Sequence, residues 1–265
     1  MSLLFEQETY LLRRCFFEVQ NEVGLGRHEQ AYHRACVLWF EEHQVPVVSK
    51  LPHRLLLRGE VAHTLFPDFV GWDAICVELK SVPRCLGPTE FVQIFDYLKH
   101  RGDRVGLLVN MGMDRVQIER VAYDHPETEF VENWDSWTNH IEDEDRTIGL
   151  ATRDALCAVA AEHGTGYGEE VLLKLALCAL RQQGLAVTPN PVAKAFFRGV
   201  EIHESPLACL VVNERLVLVI SSLFDTNEFN VNRARSYLKA LNLNWGIAAD
   251  FGKKRAEIIG IRQRR

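Results

Sequence analysis

The chain repeats itself. At a constant offset of 140 residues, Gly24, Gly26 and Glu29 recur as Gly164, Gly166 and Glu169, and Arg58-Gly59 recurs as Arg198-Gly199. Farther along, Tyr97-Leu98-Lys99 matches Tyr237-Leu238-Lys239, Gly106 matches Gly246, and Gly112 matches Gly252. Collinear matches spread over nearly a whole half mark a duplicated unit, so whatever the first half folds into must be built a second time.

Periodicity outlines that unit. Apolar spacing predicts helices over residues 3–22 and 28–43, separated at Gly24 to Gly26, with Ala31, Ala35, Leu38 and Trp39 on one face of the second. Short alternating or wholly apolar runs bounded by Pro and Gly predict strands over 45–49, 54–58, 65–70 and 74–81. A helix over 89–100 with Thr89 as its cap follows, then strands over 104–110 and 116–123. Helices, a strand meander, a helix and a strand make an α/β sandwich, a central mixed sheet flanked by helices, present as two tandem copies. The expected domains are 1–123 and 151–265, with an acidic linker over 124–150.

Charge supports that division and limits the function classes. The net charge of -6 argues against indiscriminate nucleic-acid binding, but it is unevenly spread: -2 over 1–123, -8 over 124–150 and +4 over 151–265. Local basic surfaces thus remain on both flanking parts. With 47% hydrophobic residues the chain can bury a core, yet its apolar runs are too short and interrupted to span a bilayer, and its start lacks a basic region followed by an apolar stretch. The seven cysteines are odd in number and include no Cys-x-x-Cys, which points to a reducing, cytoplasmic location and no membrane partner.

The chemistry concentrates in Pro67-Asp68-Phe69-Val70-Gly71-Trp72-Asp73-Ala74-Ile75-Cys76-Val77-Glu78-Leu79-Lys80. On a strand Glu78 and Lys80 share one face while Val77 and Leu79 turn to the other. A turn through Gly71 to Ala74 would fold Asp68 back beside Glu78. Two adjacent carboxylates repel, and a hard cation with oxygen ligands is the usual way to offset that repulsion. An Asp and a Glu-x-Lys pair are common on solvated strands, but this strand is nearly continuous in apolar residues, as expected where both faces are covered.

Gly26-Arg27-His28-Glu29-Gln30-Ala31-Tyr32 fits Gly-x-x-Glu-x-x-Tyr. Together with Pro67-Asp68, Glu78-Leu79-Lys80 and the Gln93 to Lys99 helix, it resembles the GxxExxY family of the PD-(D/E)XK nuclease-like superfamily, over residues 5 to about 123. The resemblance implies a restriction-endonuclease-like fold and a nuclease, in which Asp68 and Glu78 bind Mg²⁺ or Mn²⁺. Lys80 would orient the attacking water or help deprotonate it, and Glu29 and Gln93 would complete the catalytic set. Tyr32, one helical turn beyond Glu29, is expected to pack or hydrogen-bond rather than react. Lys99, Arg101 and Arg104 are candidate phosphate contacts, as are Lys253, Lys254 and Arg255 in the second copy, although cations at a helix end are favoured there for structural reasons too.

In the second copy, Ala208, Leu218, Ile220 and Arg233 stand at the positions of Asp68, Glu78, Lys80 and Gln93; a one-residue shift gives Leu207, Val219 and Ser221 for the first three. No metal ligand survives in either alignment. The second copy is therefore expected to be a pseudo-nuclease domain kept for structure or substrate binding. Other motifs fall away. His28 and His33 are five residues apart, diverge by about 140° on a helix and cannot share a zinc. Gly24-Leu25-Gly26 follows a helix rather than a strand, against a dinucleotide loop, and no organic cofactor site is evident. The expectation is a metal-dependent nuclease acting on DNA or RNA. A non-catalytic nucleic-acid-binding or scaffold protein on the same fold is the alternative, and a protein partner or self-association stays open.

Overall fold

The computed structural model describes residues 4–124, 127–222 and 227–263. The chain divides into two compact units, one formed by Met1–Leu55 with Thr64–His125, the other by Leu56–His63 with Pro126–Arg265.

The first unit opens with α1 (Glu6–Val23) and α2 (Glu29–Glu42), joined through Gly24 and Gly26 at φ 78° and 72°. Tyr32 is fully buried, and its hydroxyl donates to the Gly24 carbonyl at 2.7 Å. The tyrosine thus clamps the turn that the glycines permit. The chain continues through β1 (Val47–Ser49), β2 (His53–Leu57), β3 (Glu60–Leu65), β4 (Phe69–Gly71), β5 (Ile75–Lys80), α3 (Pro88–Arg101), β6 (Val105–Asn110) and β7 (Gln117–Ala122). The sheet order is β1-β4-β5-β6-β7, with β5 and β6 parallel and the remaining neighbours antiparallel. β2 and β3 form a two-stranded ribbon of their own, whose tip belongs to the second unit.

Two expectations shift for clear reasons. The strand expected over 65–70 is split between β3 and β4, because Pro67 has no N–H to give a ladder. Thr89 is not a cap: the helix starts a residue earlier, with Gly87 as N-cap and Pro88 in the first turn, and the Glu90 carboxylate accepts the Gly87 N–H at 2.7 Å.

Each face of the sheet buries a different helix layer. Ile75, Val77 and Leu79 of β5, with Leu107 and Val109 of β6, pack in one core with Leu12, Phe16, Tyr32 and Phe40 of α1 and α2. The opposite face meets α3, and it approaches so closely that a Cβ on Gly106 would lie 3.0 Å from Ile94. That second face carries Glu78 and Lys80.

The second unit holds β8 (Glu129–Asn133), α4 (Asp143–His163), α5 (Glu169–Gln182), β9 (Val187–Pro189), β10 (Val192–Phe197), β11 (Val200–Pro206), β12 (Leu210–Val212), β13 (Leu216–Ser222), α6 (Asn227–Leu241), β14 (Trp245–Phe251) and β15 (Arg255–Arg262). Its sheet runs β8-β15-β14-β13-β12-β9, with β13 and β14 parallel as β5 and β6 are. The architecture is again a mixed sheet, with two helices before its strands in sequence, β8 excepted, and one helix between β13 and β14.

The stretch expected as a solvated linker, 124–150, instead supplies β8 and the first turns of α4. β8 pairs in parallel with β15, and the buried Trp137 donates its indole N–H to the Ile261 carbonyl at 3.1 Å. Its acids are concentrated at Glu142 to Asp145, at the start of α4, where the helix dipole favours negative charge. Among the described residues no helix is long and apolar enough to cross a membrane.

Gly112 is held tightly: a Cβ there would lie 2.5 Å from the Val82 nitrogen, in the segment that follows Lys80. Gly112→Ala should therefore destabilise the protein by about 1–3 kcal/mol in urea unfolding. An unchanged midpoint would show that this segment gives way freely.

Candidate functional site

The turn between β4 and β5 sets the site. Trp72 and Asp73 lie at φ 49° and 50°, the pair of left-handed residues of a tight hairpin turn, and Ala74 N–H closes on the Gly71 carbonyl at 3.0 Å. The register then runs Gly71 to Ile75, Val70 to Cys76 and Phe69 to Val77, so that one step farther Asp68 lies across from Glu78. Both carboxylates are buried, 2% and 3% exposed. Asp68 accepts the Leu79 backbone N–H at 2.7 Å.

Lys80 links this strand to α3. Its ammonium donates to Glu78 Oε1 at 2.6 Å and to Gln93 Oε1 at 2.9 Å, while Gln93 Nε2 donates to the Tyr97 hydroxyl at 2.7 Å. Glu29, half-buried in the first turn of α2, lies within electrostatic reach of Lys80, Asp68 and Lys50. The fold brings all five residues expected for the site into one neighbourhood.

Burial dominates the electrostatics. The Glu78 carboxyl is pushed up to about 8, first by burial and then by Asp68, against the pull of Lys80. Burial likewise pushes the Glu29 carboxyl above its ordinary value, with Lys80 opposing. For Lys80 burial works downward, but the Glu78 carboxylate more than offsets it, and the ammonium is held above its usual value. Glu78 Oε2 is buried and has no hydrogen-bond partner. A buried carboxylate oxygen without a donor, beside a second carboxylate, suits a hard divalent cation. Among the described residues no group of three or more His, Cys, Asp and Glu side chains is gathered for a metal, so Asp68 and Glu78 are the protein carboxylates on offer and water would have to complete the shell.

Three contributors escaped sequence reasoning. Lys50, at φ 52° just after β1, donates its backbone N–H to the Asp68 carbonyl at 3.1 Å and sets its ammonium on the Asp68 carboxylate. No motif marks it. Asn110, fully buried and opposite Lys80 in the β5–β6 register, bonds the Val82 N–H and carbonyl, the Arg84 carbonyl and the Gly112 N–H at 2.9–3.0 Å. It ties down the segment that leaves the site; an amide ending the apolar run Val105 to Val109 was its only signal. Tyr97 carries the hydrogen-bond chain on from Gln93.

The candidate phosphate contacts divide. Arg101 does not reach out to solvent: its side chain is 9% exposed and its guanidinium is held by Asp103 at 2.6 Å and Asp73 at 3.0 Å. Its charge is used within the fold because α3 ends above the β4–β5 turn. Burial pulls Lys99 below its usual value. Arg104 is exposed, as are Lys253 and Lys254 between β14 and β15 and Arg255 at the start of β15, with Arg255 3.3 Å from Glu257.

In the second unit the equivalent turn is Asn213 and Glu214, at φ 46° and 59°, and Leu210 lies opposite Leu218. The counterparts of Asp68, Glu78 and Lys80 are therefore Cys209, Val219 and Ser221. Position 209 replaces both 207 and 208, because one extra residue precedes β12. Ser221 donates to Asp250 at 3.0 Å and accepts from Asn230. A thiol, an aliphatic side chain and a hydroxyl thus occupy the place of the acid-lysine set.

A protein-family model described as the PD-(D/E)XK nuclease superfamily matches residues 6–121 and again 146–262. No curated protein and no solved structure matches the chain.

The raised Glu78 carboxyl has a thermodynamic consequence. Between its ordinary 4.5 and about 8 the folded state binds a proton that the unfolded chain has lost, so in metal-free protein its contribution to stability falls as pH rises through that window. Glu78→Gln removes the titration. Its stability relative to wild type should rise between pH 5 and pH 8 in denaturant melts, and a difference that stays flat would show that Glu78 titrates normally.

Proposed function

We propose, for a chain that belongs to the PD-(D/E)XK nuclease superfamily, that the first unit hydrolyses phosphodiester bonds of DNA or RNA with Mg²⁺ or Mn²⁺. The observation that carries this reading is the buried, unpartnered Glu78 Oε2 beside Asp68, next to an ammonium that Gln93 holds in place. The Gly-x-x-Glu-x-x-Tyr pattern supports assigning the first copy to the GxxExxY group, and a cytoplasmic setting suits its free cysteines.

Asp68 and Glu78 would hold the cation, which when bound polarises a phosphoryl oxygen and makes its water more acidic. Lys50, whose side chain is half exposed, is the ammonium able to swing away from Asp68. Lys80 stays protonated because Glu78 raises it, so it acts as a donor that orients water and stabilises charge growing on the phosphorus oxygens, not as a base. Gln93 fixes the direction of that ammonium. Glu29, with its carboxyl raised by burial, is the group suited to accept the water's proton. The second unit, with Cys209, Val219 and Ser221, would contribute structure or substrate binding, and its exposed Lys253, Lys254 and Arg255 suit phosphates.

The Lys50 ammonium also supports a second reading, a non-catalytic nucleic-acid-binding scaffold in which a lysine has permanently taken the cation's place on Asp68. Calorimetric titration with Mn²⁺ separates the two, because a scaffold would show no binding that Asp68→Ala abolishes. With Mg²⁺ or Mn²⁺, single- and double-stranded DNA and RNA should be cleaved by wild type, and Glu78→Ala and Lys80→Ala should each lose about 10²-fold or more. Equal rates in all three would remove the assignment.

A further inference from the structure

Within the second unit the tip of the β2–β3 ribbon sits across α4 and α5. The Arg58 backbone N–H donates to both Glu162 carboxylate oxygens at 3.0 and 3.2 Å, the Leu56 carbonyl meets His163 Nε2 at 2.7 Å, and Gln182 donates to the Leu57 carbonyl at 3.0 Å. Glu60 meets the Cys178 thiol at 4.0 Å. Leu57 is fully buried there.

The duplication supplies the same two parts again. β10–β11 is the second hairpin, with Arg198 and Gly199 at φ 50° and 80° in its turn, as Arg58 and Gly59 are at 48° and 84° in the first. Among the described residues nothing covers it: Phe197, the counterpart of Leu57, is 60% exposed, and Phe196, Val200 and Ile202 stand out in the same way. The second seat is the α1–α2 pair. Glu22 falls at the place of Glu162, Leu38 at that of Cys178 and Glu42 at that of Gln182. Glu22 is exposed, and Leu38 is 66% exposed.

We propose that the β10–β11 hairpin of one chain docks across the α1–α2 helices of a second copy of the same chain. Hairpin and seat have changed together. Where the occupied seat pairs Glu60 with Cys178, the vacant one offers Val200 to Leu38, so a polar contact is replaced by an apolar one on both sides. The acid that receives the turn's N–H groups is retained as Glu22. Each chain has one uncovered hairpin and one uncovered seat, and two chains that exchange hairpins leave neither exposed, which gives a closed pair. Four large apolar side chains on a two-stranded ribbon are otherwise an aggregation hazard.

Sedimentation of the full chain tests this. Wild type should associate to twice the chain mass, whereas Phe197→Asp and Leu38→Asp, both at exposed positions and checked for folding by circular dichroism, should each run as single chains. Oxidation of the Val200→Cys, Leu38→Cys double variant should give a covalent pair on a non-reducing gel, and neither single variant should. The proposal is overturned by a wild type that stays monomeric at every concentration, by association that survives both Asp substitutions, or by failure of the double variant to cross-link between chains.

Discussion

A carboxylate held in the protein interior beside another carboxylate is the constraint from which the first unit's organisation follows. Burial and Asp68 both oppose a charge on Glu78 and push its carboxyl up to about 8, so a cation close by favours its ionisation. Lys80 supplies part of that cation, and its ammonium is directed by Gln93, which is directed in turn by Tyr97. Helix α3 therefore has to lie close against β5 and β6, and Gly106 is the residue that allows the approach. The other face of the same strand has no such demand, and Ile75, Val77 and Leu79 fill it with ordinary core.

Much of this was legible in the residues. Strand alternation placed Glu78 and Lys80 together, and the Gly71 to Ala74 turn placed Asp68 opposite, because a two-residue hairpin leaves only one register. What remained hidden was set by tertiary contact. Lys50 reaches Asp68 only because β1 pairs with β4, and Asn110 acts on the segment after Lys80 only because β5 and β6 are parallel neighbours. Arg101 looked like a surface cation, but its partners Asp73 and Asp103 come from a turn and a helix end that meet only in the folded chain. The acidic stretch misled in a similar way, since its densest run of charge, Glu142 to Asp145, lies at the start of a helix while Trp137, just before it, is core.

The two units show which parts of the plan tolerate change. The helix-pair turn, the parallel strand pair and the hairpin turns recur in both, and these set the backbone. Of the five site residues only Glu29 recurs, as Glu169. Ser221 instead donates to Asp250 and accepts from Asn230, so these buried polar groups hydrogen-bond one another where the first unit has its lysine. The loss of the other four is locally compensated.

The extra residue before β12 has a further effect on that loss. It is balanced by one residue fewer between β13 and α6, so the strands keep their alignment with β14 while the sequence beneath them has slid by one. Acids returned to 208 and 218 by matching the halves letter for letter would face the wrong side of the sheet. An acid-lysine set facing as it does in the first unit would instead need replacements at 209, 219 and 221, three buried positions where each new charge would enter the interior without its partners.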